Sequence, residues 1–85
     1  MTTAAISPWP LVREGDQQHP VQTLQYLLRA RGHNLTVDGI FGPKTETAVL
    51  GWQQLIHDND EPAMAVDGIV GPMTWQSLIS GMYAF

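Results

Sequence analysis

The 85-residue chain has no cysteine and a net charge of −4, from four basic and eight acidic residues, which marks one small domain without disulfide or thiolate–metal staples. That charge excludes the basic footprint that nucleic acid or an anionic membrane surface requires. No apolar run approaches the roughly 20 residues of a membrane span.

Residues 1–16 read as an extended leader, with the domain expected over 17–82. Met1–Ile6 has neither a basic start nor a long apolar stretch, so no signal peptide is read there. Pro8 and Pro10 remove backbone donors and hold their predecessors extended. Trp9, Leu11 and Val12 are expected to pack back on the core, and Glu14-Gly15-Asp16 to turn the chain.

The first helix is predicted over Pro20–Arg31. Proline suits the first helical position, where its missing N–H costs nothing. Val21, Leu24, Leu27 and Leu28 share one helical face, and Gly32 suits the residue just past the end. The second helix is predicted over Pro43–His57, with Ala48, Val49, Trp52, Leu55 and Ile56 as its apolar stripe. Asp58-Asn59-Asp60-Glu61-Pro62 is an acidic loop. The third helix opens at Pro72 and carries Trp75, Leu78, Ile79 and Met82.

A duplication underlies this order. Val37-Asp38-Gly39-Ile40-Phe41-Gly42-Pro43-Lys44-Thr45 recurs 29 residues later as Val66-Asp67-Gly68-Ile69-Val70-Gly71-Pro72-Met73-Thr74, identical at seven of nine positions. The helix before each turn repeats too: Val21, Leu24, Gln25 and Leu28 match Val49, Trp52, Gln53 and Ile56. A period of this length marks a supersecondary unit that cannot bury its apolar face alone. The expected fold is all-α, a compact three-helix bundle built from this pseudo-repeat and its DGI-x-G turns.

The turn residues have local reasons. Gly39 and Gly68 are expected at positive φ, and Ile40 and Ile69 are expected to point inward. Asp38 and Asp67 are placed to accept from loop or helix N–H groups, and the Thr45 and Thr74 hydroxyls to bridge back to them. Gln25 and Gln53 lie on apolar faces, so their amides need partners in the loop backbone.

These motifs, with Pro10, Arg13 and Gly15 ahead of them, resemble the peptidoglycan-binding-domain-1 family over roughly residues 10–80. The resemblance implies a compact three-helix module that is not catalytic. It also implies binding of bacterial cell-wall peptidoglycan, through glycan strand or stem peptide, and targeting of a wall-degrading or wall-remodelling enzyme on the same or another chain. Action at the cell wall, outside the cytoplasm, follows from the same likeness. The acidic segment makes the second linker longer than the family leads one to expect. The alternative is a small helical protein–protein module of a phage or secretion/injection particle, which would need no export signal.

Catalysis and metal binding find little support. His19, His33 and His57 lie at helix or loop ends without a zinc-ligand spacing. Asp58, Asp60 and Glu61 lack the calcium-loop pattern. Ser7, Ser77 and Ser80 sit in no nucleophile elbow, and Glu14, Glu46 and Glu61 form no evident carboxylate pair. No motif calls for a cofactor. Trp52 and Trp75 fall at core spacing, whereas Tyr26 and Trp9 are the aromatics expected at the surface. The candidate ligand groove has Arg31, His33 and Asn34 beside the Asp38–Phe41 turn on one side, and Lys44 and Thr45 on the other, with Tyr26 as a further contact. Free N–H groups at the start of the second helix suit a stem-peptide carboxylate there.

Overall fold

Proline and glycine set the helix boundaries. The computed structural model describes residues 11–17, 19–59 and 61–80, and its helices are α1 (His19–Ala30), α2 (Pro43–Asn59) and α3 (Pro72–Ser80). α2 and α3 each open with proline after a glycine whose carbonyl accepts the first helical bond: Glu46 N–H donates to Gly42 at 3.0 Å, and Trp75 N–H to Gly71 at 3.0 Å. α1 ends in a Schellman motif. Gly32, at φ +96°, donates to the Arg29 carbonyl, and His33 N–H donates to that of Leu28. α2 runs two residues beyond the predicted His57. Its end is held by the Asn59 amide on the Leu55 carbonyl and by Glu61 N–H on that of Ile56. Trp9, Asp60 and Met82, for which expectations were stated, lie outside the described residues.

The fold is all-α. Among the described residues the extended pairing amounts to two isolated bridges, Val12 with Val70 and Gln17 with Ile40. Val21, Leu24 and Leu28 of α1 meet Val49, Trp52 and Ile56 of α2 and Trp75 and Leu78 of α3 in one buried core. Phe41, Val70, Val12 and Met64 fill it from the loops. α2 and α3 are joined by the Trp52 indole, which donates to Ser77 Oγ at 2.8 Å.

Four apolar side chains expected inside are exposed: Leu11, Ile40, Leu55 and Ile79. The reasons are geometric. In an extended segment neighbours face opposite ways. Burying Phe41 therefore turns Ile40 out, and burying Val12 turns Leu11 out. In the second turn Val70 is fully buried while Ile69 is only partly so. The inward residue is thus the variable one after Ile. Leu55 and Ile79 fall at the edge of their helical stripes, beyond the roughly 100° that face the core.

Residues 11–17 join the two turns at matching positions. Val12 exchanges both backbone bonds with Val70, at 3.1 and 2.7 Å. Gly15 N–H donates to the Phe41 carbonyl at 2.8 Å, and Phe41 N–H donates to that of Asp16 at 2.9 Å. Phe41 and Val70 occupy the same place in the two copies of the sequence motif.

Candidate ligand groove

The groove is shaped by the first turn, and the first turn is held by Gln25. Gln25 is fully buried on α1. Its Oε1 accepts from the N–H groups of Asp38 at 3.1 Å and Gly39 at 2.9 Å. Its Nε2 donates toward Asp38 Oδ1, the Ile40 carbonyl and Thr45 Oγ1, at 3.0–3.1 Å. Gln53 makes the same set in the second turn, to Asp67, Gly68, Ile69 and Thr74. The threonine hydroxyls therefore do not bridge to the aspartates as expected. The glutamine amide lies between them and bonds both. Gly39 at φ +75° and Gly68 at φ +78° provide the reversal.

Asp38 closes the turn by accepting from Ile40 N–H at 3.0 Å. That bond, and then the Gln25 amide, hold its carboxyl below the usual carboxylate range. One carboxylate oxygen is thus committed to the turn, while the side chain itself remains exposed at the surface.

Two depressions adjoin across Pro43 and Lys44 at the start of α2. One, of about 490 Å³, is walled by Leu35, Thr36, Asp38, Ile40 and Thr45. The other, of about 570 Å³, is walled by His33, Asn34, Thr47, Ala48 and Gly51. Together they make a shallow two-part groove between the chain after α1 and the first turns of α2. The His33 ring stands edge-on to Trp52, with centroids 6.3 Å apart, and forms a fixed wall.

Of the residues singled out in the sequence, His33, Asn34, Asp38, Lys44 and Thr45 come together here. Thr45 is nearly buried, and its hydroxyl already accepts from Gln25. Three others do not line the groove. Phe41 is 1% exposed and belongs to the core, because its side chain points inward from the turn. Arg31 turns the other way: its Nε and Nη2 donate to the carbonyls of Leu78 and Ile79, at 2.8 and 3.0 Å. A cation belongs there, since the last carbonyls of a helix carry partial negative charge. Tyr26 is exposed as expected, on α1, but lines neither depression. Sequence reasoning missed Leu35, Thr36, Thr47, Ala48 and Gly51. The signal available was Gly51, a glycine inside a predicted helix.

The second turn offers a different surface. Met73 stands where Lys44 stands in the first copy, and it is partly buried against the core.

The fold is similar to that of the Burkholderia AP3 phage endolysin, at 37% identity and a TM-score of 0.73, over 84% of this chain and 25% of the endolysin. It is similar to the SleB N-terminal domain, at 29% identity and a TM-score of 0.73, over 91% of this chain and 97% of that domain. A peptidoglycan-binding protein from Clostridioides difficile, solved with glutamine hydroxamate, matches at 33% identity and a TM-score of 0.71, over 82% of this chain and 40% of that one. Residues 17–56 match the family model described as "Putative peptidoglycan binding domain". That segment belongs to the peptidoglycan-binding domain family. No curated protein gives a significant match to the chain. The family segment runs through α1, the first turn and most of α2, and it contains every residue of both depressions. The chain spans a quarter of the endolysin's length and two fifths of the Clostridioides protein.

Proposed function

We propose that the chain binds bacterial cell-wall peptidoglycan without cleaving it, and so keeps a wall-degrading or wall-remodelling enzyme at its polymer. The carrying observation is that the family segment, residues 17–56, holds the complete two-part groove. The endolysin likeness supports the link to a hydrolase, on the same or another chain. The site of action is then the wall, outside the cytoplasm.

The groove suits binding better than catalysis. It contains one carboxylate, Asp38, whereas glycoside cleavage uses two flanking the bond. Glu46 points elsewhere, onto Gly68 of the second turn. A shallow open groove gives weak affinity for one repeat unit, and the polymer converts it to avidity by offering many units at high local concentration.

Retention of the folded protein on purified sacculi at moderate salt is the direct test. Retention in the pellet is expected, with no soluble muropeptide released. Folded protein that stays in the supernatant defeats the reading. A free protein-binding role in a particle would give that result.

A further inference from the structure

We propose that the depression bounded by His33, Asn34, Lys44, Thr47, Ala48 and Gly51 takes the free-carboxylate end of a short peptide with small side chains. That is the chemistry of a stem peptide rather than of the glycan strand. The inference rests on the wall-binding reading and goes further, by assigning one half of the groove to one part of the polymer.

Charge comes first. Lys44 stands between the two depressions and lines both; no carboxylate lines this one, whereas the adjoining one also carries Asp38. Among the described residues the only ion pair joins His57 and Asp58, so Lys44 has no carboxylate partner there. In a chain of net charge −4 this is a local site for an anion. Asn34 and Thr47 flank it with an amide and a hydroxyl, which suit the peptide bonds that lead to a terminal carboxylate.

Shape comes second. Gly51 lies inside α2 and is exposed. Glycine at such a position stabilises a helix less than alanine does. A Cβ there would approach only the His33 ring, at 3.4 Å, so packing within the protein does not demand glycine. Its effect is to leave the floor between His33 and Thr47 open, next to the small Ala48. No Trp, Tyr or Phe lines the depression, and Trp52 behind it is 3% exposed. Apart from the small His33 imidazole, a sugar ring would find no aromatic face for its C–H groups. Methyl-sized side chains fit a floor of Ala48 and Gly51.

The test is amide NMR of the intact protein titrated with a synthetic tetrapeptide stem, the same peptide amidated at its C-terminus, and a peptide-free wall disaccharide. Sacculus retention is measured in parallel for wild type, Gly51→Leu and Lys44→Gln. The free-acid peptide is expected to shift the amides of His33, Asn34, Thr47 and Gly51. Amidation and each substitution are expected to weaken binding about tenfold, the scale of one lost charge-assisted contact. Leucine is a better helix former than glycine, so Gly51→Leu stays folded, and a thermal melt verifies this. If wild type is retained on sacculi and Gly51→Leu is retained equally, this inference is overturned while the wall-binding reading stands. A disaccharide that moves the same amides, when the peptide does not, also overturns it. Wild type that fails to bind sacculi removes both.

Discussion

The indole N–H of Trp52 donates to the Ser77 hydroxyl at 2.8 Å, and that hydroxyl donates in turn to the Thr74 carbonyl at 2.8 Å. Both side chains are buried, so the relay ties α2 to α3 where water cannot substitute. Ser77→Ala should cost about 1–3 kcal/mol, because it strands a buried indole donor. In a Trp52→Phe background the same change should cost less, since no donor remains to be stranded. Urea denaturation of the four proteins measures this coupling. Equal costs in both backgrounds would rule out the relay as a source of stability.

Gln25 and Gln53 should be among the least replaceable polar side chains. Gln25→Leu keeps the size and apolar surroundings but orphans the N–H groups of Asp38 and Gly39. A loss of about 2–4 kcal/mol is expected, from one to two stranded buried groups at the usual cost of each. Gln53→Leu should behave alike, because it orphans Asp67 and Gly68. Chemical denaturation decides, and a loss below about 0.5 kcal/mol, the range of ordinary surface changes, would contradict the assignment.

Acid should loosen the first turn through Asp38. Its folded pKa is depressed, by Ile40 N–H first and the Gln25 amide second. A depressed carboxyl contributes stability that is fully present above its unfolded value, near about 3.9, and lost as pH falls through the lower folded value. Asp38→Asn should therefore be less stable than wild type at neutral pH. The two should converge as the pH falls through the depressed folded value, where the wild-type carboxyl becomes protonated as well. Urea midpoints across the acid range test this. A gap that stays constant with pH would show that the carboxylate's charge is not what stabilises the turn.

Two glycine-to-alanine changes should act in opposite directions. Gly39→Ala forces a side chain into φ +75° and brings its Cβ to 3.2 Å from Gln22 Cγ. A cost of about 1–2 kcal/mol is expected from the backbone alone. Gly51→Ala, inside α2, should stabilise by about 0.5–1 kcal/mol. For a domain of this size each kcal/mol moves the melting temperature by about 4–8 °C, so differential scanning calorimetry resolves both signs.

Much of this architecture is legible in the chain itself. Pro43 and Pro72 mark helix starts because only there does a missing N–H cost nothing. Gly32, Gly39 and Gly68 mark reversals because other residues resist positive φ. Gln25 and Gln53, on apolar faces before matching turns, announce amides that must bond the loop. The groove was half legible. His33, Asn34, Asp38, Lys44 and Thr45 follow from adjacency to the turn. Thr47, Ala48 and Gly51 do not, because their place in the wall depends on how α2 lies against the chain after α1.

What the sequence by itself determined was therefore local: where α2 and α3 begin, which glycine follows the end of α1, which turns reverse the chain, and which amides must be buried. Tertiary structure decided direction. It turned Phe41 into the core and Ile40 out, since adjacent residues of an extended turn cannot both face inward. It sent Arg31 to the carbonyls of Leu78 and Ile79, 47 and 48 residues away, where a helix end supplied the negative partner. It also laid residues 11–17 across Phe41 and Val70, because each turn leaves backbone groups that must find partners and neither turn supplies them for the other.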